Sequence, residues 1–177
     1  MRSWRRIELW SRSNKTMSQP TTLTPLELKQ KAGQVLGVSA WYVIDQALID
    51  RFADVTLDHQ FIHVDPQRAK AESPYGGTIA HGLLILSLIS DMANRSLPHC
   101  EDAIGGVNYG YDKIRFLAPV RSGKRLRGHF TLLAATPRAD AELLLRYAVS
   151  IEIEGETKPA LIADWLSLLF LAQKLRV

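Results

Sequence analysis

Hydrophobic and polar positions alternate along the second half of this chain with the two-residue period of half-buried strands. Over 124–134, Leu126, Gly128, Phe130 and Leu132 alternate with Arg125, Arg127, His129 and Thr131. Further on, Leu143, Leu145, Tyr147, Val149, Ile151 and Ile153 alternate with Arg146, Ser150, Glu152 and Glu154. Residues 107–116 predict another strand after Gly105-Gly106. Residues 158–171 are apolar on both faces, which places that strand centrally or at a subunit contact. The turn over 119–123 is expected to be exposed.

The first half has a different texture. Over 24–32, Thr24 precedes Pro25, a helix N-cap followed by proline at the first helical position. Residues 38–44, aromatic and β-branched, predict a first strand. Asp45 caps a helix over 46–53 with Leu48, Ile49 and Phe52 on its apolar face. Residues 54–65 break that period and read as loop and irregular turn. Asp65-Pro66 opens a short helix through Ala71, and Ser73-Pro74-Tyr75-Gly76-Gly77 ends it. Residues 79–94 are the most hydrophobic stretch, too long for a typical strand and apolar nearly all round. They predict one helix buried on most sides. Helices followed by antiparallel strands around one apolar helix make an α+β layout.

The chain has 177 residues, 46% hydrophobic and 23% charged, enough for one domain with a real core. That domain is expected over 23–177. The formal net charge of +4 belongs to residues 1–16, where Arg2, Arg5, Arg6, Arg12 and Lys15 face Glu8 alone. From Met17 onward 17 Lys/Arg balance 17 Asp/Glu, so no nucleic-acid partner is expected of the globular part. No run of about 18 apolar residues suits a membrane span, so no membrane association is expected. A single cysteine, Cys100, excludes an internal disulfide framework and a multi-cysteine metal site, in keeping with a cytoplasmic location. The basic tail lacks the apolar run of a signal peptide. It reads as an Arg-rich transit segment or as sequence upstream of a start at Met17; in each case residues 1–22 are expected to be disordered or loosely attached.

Candidate chemistry centres on the segment 54–65, where Asp58 and His63 stand five residues apart in a loop. A carboxylate and an imidazole can converge on one water there: the histidine exchanges a proton near neutral pH, and Asp58 orients the water and holds the useful tautomer. The plain alternative is a loop held by Asx-turns, with surface histidines. His59 and His63, at i and i+4, would grip a metal only on a helix and with a third ligand. Ala80-His81-Gly82 opens the apolar helix, whose first N–H groups suit an enolate-like oxygen; equally, Gly82 serves close helix–sheet packing, and His81 is a buried, satisfied histidine. Lys113, Arg115, Arg121, Lys124, Arg125 and Arg127 are six cations within fifteen residues without an acid among them. They read as a site for carrier phosphates or as a solvated strand edge.

Three segments in order resemble the MaoC-like dehydratases, which include the (R)-specific enoyl-CoA hydratases, and among them the nodulation-protein-N-like branch. They are 52–65 around Asp58 and His63, Gly76-Gly-Thr-Ile-Ala-His-Gly-Leu83, and Asn108-Tyr-Gly-Tyr-Asp-Lys-Ile-Arg-Phe-Leu-Ala-Pro-Val120. The resemblance implies a hot-dog fold, an antiparallel sheet wrapped around a long central helix, forming a homodimer with the site at the subunit boundary. It implies (R)-specific, reversible hydration of trans-2-enoyl thioesters, a hydro-lyase reaction of fatty acid metabolism. Asp58 and His63 are then catalytic, and Gly82 is the backbone oxyanion donor. His81, Asn108, Arg121 and Lys124 are expected substrate contacts. No metal or redox cofactor is expected, CoA or acyl carrier protein entering as part of the substrate. The chain departs from the family pattern Gly-Asp-x-Asn-Pro-Ile/Leu-His: Leu57 replaces the glycine, Gln60 the asparagine and Phe61 the proline. The rival readings are a hot-dog acyl-CoA thioesterase and a non-catalytic acyl-thioester-binding module.

Overall fold

The alternating segments pair into one antiparallel sheet. A computed structural model describes residues 21–173, in the order β1 (Thr22–Leu23), α1 (Pro25–Gln30), β2 (Val35–Val38), β3 (Tyr42–Val43) and α2 (Gln46–Thr56). There follow α3 (Phe61–Val64), α4 (Pro66–Glu72), α5 (Gly82–Ser87), α6 (Ile89–Ser96) and β4 (His99–Cys100). The long strands β5 (Ala103–Phe116), β6 (Arg125–Ala139), β7 (Glu142–Ile153) and β8 (Leu161–Leu171) come last. The sheet runs β2-β6-β7-β8-β5, with β3 also on β6, and every pairing in it is antiparallel. This is the α+β, hot-dog layout that the resemblance implies.

Every second residue of β7 from Leu143 to Ile153 is buried, as are Leu126, Gly128, Phe130 and Leu132 of β6. Those faces enclose Ile85 and Ile89, with Met92 and Ala93 of α6. The doubly apolar strand β8 lies inside the sheet, between β7 and β5, as its pattern predicts. Helix α1 begins with the expected cap: the Thr24 side chain accepts from the Glu27 N–H, and Glu27 returns a bond to the Thr24 N–H.

Several expectations shift. The helix over 79–94 is shorter at its start and divided. Residues 79–81 are not helical, because Ile79 forms a β-bridge with Arg121 and the Ala80 N–H donates to the Val120 carbonyl. At Leu88 the helix divides into α5 and α6; its exposed residues, Leu83, Ser87 and Asn94, share one stripe, so it is buried on its other sides as expected. Helix α2 runs on to Thr56, and α3 supplies another helical turn, within the segment expected to be irregular. The last turn of α2 is solvent-exposed, so it carries no apolar period to read. The turn over 119–123 exposes Arg121 but buries Val120. The basic tail lies outside the described residues up to residue 20. Its last two residues are not loose: Thr22 pairs with His99, and the Thr21 carbonyl accepts the His99 N–H at 3.0 Å.

The strand expected over 38–44 is instead the end of β2 and the separate β3, both laid along β6. Ser39 separates them. Its hydroxyl accepts the Gly128 N–H at 2.8 Å and donates to the Ala40 carbonyl at 2.8 Å. A side chain thus substitutes for the backbone acceptor where the ladder breaks. Both Ser39 and Gly128 are buried. Ser39→Ala leaves the Gly128 N–H without a partner and is expected to destabilise by about 1–3 kcal/mol, read by urea unfolding. A loss below a few tenths would show that the hydroxyl is dispensable.

Candidate active site

Helix α2 delivers the first functional residue. Asp45 caps it by accepting the Leu48 N–H at 2.8 Å, and it ends at Leu57, whose φ of 61° is left-handed. Glycine takes that conformation without the Cβ clash, which is why the family pattern carries it there. Asp58 follows, its side chain 55% exposed. Phe61, where the family has proline, is the first residue of α3, a position that suits proline. The Arg68 guanidinium lies 4.2 Å above the Phe61 ring.

Helix α3 buries His63, 7% exposed. Two side chains hold this loop against α2. Gln46 donates from Nε2 to the His63 carbonyl at 2.7 Å, and its Oε1 accepts from the Thr78 hydroxyl at 2.5 Å. His63 Nδ1 lies 2.7 Å from the Ile79 carbonyl. A carbonyl only accepts, so Nδ1 carries the proton and Nε2 keeps a free lone pair. The tautomer expected to be held by Asp58 is therefore held by backbone. Burial pushes the His63 imidazole below its ordinary pKa, and His81 pushes the same way, against the Ile79 hydrogen bond and the Asp58 charge.

His81 completes the cluster and is 4% exposed. Its Nε2 lies 2.9 Å from the Asp58 carbonyl and 4.0 Å from Asp58 Oδ2. Its ring stacks on His63 at 3.7 Å between centroids and 25° between planes, and Phe52 packs against it at 5.1 Å. Asp58, His63 and His81 each offer a ligating atom within 4.8 Å of the others. The distances suit a metal ion, but the directions do not. The two stacked ring planes, 25° apart, do not meet close to the rings, whereas an ion about 2.0–2.1 Å from two imidazoles needs planes that meet at it. His59 lies between α2 and α3, off any helix, and pairs with Asp54 at 3.0 Å, so it forms no i, i+4 metal grip with His63.

Gly82 is the first residue of α5, where an N–H has no partner inside the helix. A Cβ on it would stand 2.9 Å from the Phe116 ring, so the glycine also serves the close packing read from the sequence. A cavity of about 380 Å³ opens here, lined by Tyr75, Ile79, Gly82, Leu83, Phe116 and Pro119. Arg121 is bridged to Ile79 through the backbone and its guanidinium stands beside Gly76.

The other substrate-contact candidates are not brought to this point. The Asn108 amide accepts from Trp165 at 3.0 Å and donates to the Tyr111 hydroxyl at 3.1 Å. Lys124 pairs with Glu156 at 2.8 Å, Arg127 with Glu152 at 2.6 Å and Lys113 with Asp164 at 3.5 Å, and Arg125 pairs with Glu154. The basic run is therefore largely neutralised across the strands, and β6 is no sheet edge. Sequence reasoning missed Gln46, Thr78 and the Ile79 carbonyl, whose roles come from contacts across 16–32 positions.

Because folding lowers the His63 pKa below the ordinary 6.5, the unfolded chain takes up the proton more readily. The His63 contribution is fully present above pH 6.5 and is lost as pH falls through the depressed folded value. Between pH 7.5 and 5.5 the protein is expected to lose more thermal stability than His63→Gln does. Parallel loss in both would remove His63 as the cause.

The comparisons with known proteins bear on the fold and the family. The model of the MaoC like domain matches residues 27–143. Nodulation protein N of Rhizobium meliloti is 50% identical over 142 residues, 80% of this chain and 88% of that protein. The 3-hydroxyacyl-thioester dehydratase Z of Mycobacterium tuberculosis is 39% identical over 142 residues, 78% of this chain and 90% of that one. Among solved structures, R-hydratase PhaJ1 of Pseudomonas aeruginosa shares the fold with a TM-score of 0.64 at 23% identity, covering 90% of this chain and 98% of that one. With a matched family model over most of its length and relatives this similar, the chain belongs to the MaoC-like domain family.

Proposed function

We propose that the chain is an (R)-specific hydratase that adds water reversibly to trans-2-enoyl thioesters, giving (R)-3-hydroxyacyl thioesters. The observation that carries this is the unprotonated Nε2 of buried His63 beside the open carboxylate of Asp58. The relative named as a 3-hydroxyacyl-thioester dehydratase supports the reaction class. One water donates a hydrogen bond to each group. As its oxygen bonds to Cβ, His63 Nε2 accepts its proton, and the imidazolium returns that proton to Cα on the same face. The Gly82 N–H polarises the thioester carbonyl, so the Cα charge is held as an enolate. This chemistry uses proton transfer alone and calls for no metal or redox cofactor.

CoA or acyl carrier protein enters as part of the substrate. Of the basic run, Arg121 is the cation best placed for its phosphates, being exposed beside Gly76 and the cavity. A cytoplasmic location is proposed from the single cysteine, Cys100, which fits a reducing compartment; among the described residues no helix is long and apolar enough to cross a membrane.

Asp58→Ala and His63→Ala are each expected to lower kcat for crotonyl-CoA hydration by at least about 10²-fold. The double variant should be far less than multiplicatively worse, because the two act as one unit. Wild-type kcat in either single variant sinks the assignment. Release of free thiol without hydration would establish the thioesterase instead. Inertness towards enoyl thioesters of several chain lengths would establish the binding module.

The assembly is a homodimer. Strand β5 pairs with β8 on one side and, among the described residues, with no strand on the other. It exposes Ile104, Val107, Tyr109 and Phe116 along a 14-residue edge. Long apolar edges of this kind are normally covered. Sizing at micromolar concentration is expected to give twice the monomer mass; the monomer mass across that range would refute it.

A further inference from the structure

We propose that His81 is the positioning residue of this site: its ring holds Asp58 and His63 in one geometry and takes no part in the proton transfers. The inference rests on the hydration reading above and adds a role to it. The Asp58 carbonyl accepts from His81 Nε2 at 2.9 Å, so that nitrogen carries the proton. The other ring nitrogen, Nδ1, is buried and has no hydrogen-bond partner. A proton there would find no acceptor, so Nδ1 keeps its lone pair. A relay needs an exchanging partner on each nitrogen. His81 has a backbone carbonyl on one and none on the other. At 4% exposure it is also closed to a substrate arriving from solvent.

What the ring does reach is both members of the pair. Its N–H ties down the backbone of Asp58, just past the left-handed Leu57 where α2 has ended. Its face lies on His63 at 3.7 Å, so the free His63 Nε2 has one orientation rather than several. Because His81 immediately precedes Gly82, the same contact registers the Asp58 loop against the start of α5. Carboxylate, imidazole and helix N–H come from three separate elements, and among the described residues this side chain touches the first two and adjoins the third.

Two variants separate the donor from the ring. His81→Gln retains an amide N–H with reach similar to Nε2, and His81→Phe retains a stacking ring without a donor. His81→Phe is expected to lower kcat for crotonyl-CoA hydration by about 10²-fold, the scale of a misplaced reacting group. KM should change little, and His81→Gln should recover most of kcat. Both should keep the shape of the wild-type pH profile, because Asp58 and His63 remain. Undiminished kcat in His81→Phe overturns the proposal. So does a lost limb of the pH profile in His81→Gln, or a Gln variant as slow as Phe at wild-type melting temperature. Should His81→Phe fail to fold, the Gln variant carries the test. Nitrogen-15 spectra of the wild-type imidazoles are expected to show His81 as the Nε2–H tautomer, and the Nδ1–H tautomer overturns the proposal. That reading needs no turnover, so a wild-type protein that hydrates no enoyl thioester would overturn the hydration reading while leaving the Asp58 contact standing.

Discussion

The backbone of Ile79 is the joint on which the site depends. Its N–H donates to the Ile62 carbonyl at 2.9 Å, its carbonyl accepts His63 Nδ1 at 2.7 Å, and it bridges to Arg121. One peptide segment therefore fixes the loop after α2, the tautomer of His63 and the turn between β5 and β6. The same bonds keep 79–81 extended, so that α5 starts at Gly82 and not three residues earlier. A helix beginning earlier would withdraw the Ile79 carbonyl into its own ladder and leave the buried His63 without an acceptor. Burial of an imidazole in apolar surroundings favours its neutral form, and the carbonyl selects which neutral form it is.

The sheet makes this possible by supplying rigidity and burial rather than reacting groups. Phe130, Leu126, Ile151 and Ile153 form the wall against which Ile89 and Met92 pack. The functional side chains lie between α2 and α5, Asp58 and His81 outside any helix and His63 on the single turn of α3, where few backbone donors and acceptors are spent on a ladder. Groups of this segment are then satisfied by the backbone of Ile79 and by Gln46, which Thr78 holds in turn. The cost of that arrangement is local: Leu57 stands in a left-handed conformation, and His81 Nδ1 is buried without a partner.

The outer face of the sheet follows a different rule. Arg125 and Arg127 flank Trp41 with their guanidinium groups at 5.7 and 4.5 Å from the ring and pair with Glu154, just past β7, and with Glu152 of β7. In the sequence these cations form a run without acids. The acids stand some 25–32 positions later, brought opposite by the β6–β7 register. A charge run can thus be neutral in space while remaining basic along the chain.

The sequence by itself determined the long strands, because a two-residue apolar period has one way to bury its face. It also determined the Thr24, Asp45 and Asp65 caps, because a side-chain oxygen ahead of a helix meets donors only three residues away. The motif around Asp58 and His63 was legible through resemblance, since spacing alone favoured a plain loop. Tertiary structure decided the rest. It broke the strand at Ser39, where Gly128 of another strand donates to the hydroxyl, and divided the apolar helix at Leu88. It buried His81 with one nitrogen committed and one free, and it replaced Asp58 with a backbone carbonyl as the partner of His63. The outcomes at Ser39, His63 and His81 depend on contacts between residues 16 to 89 positions apart, and a local period carries no information about which distant backbone group will arrive.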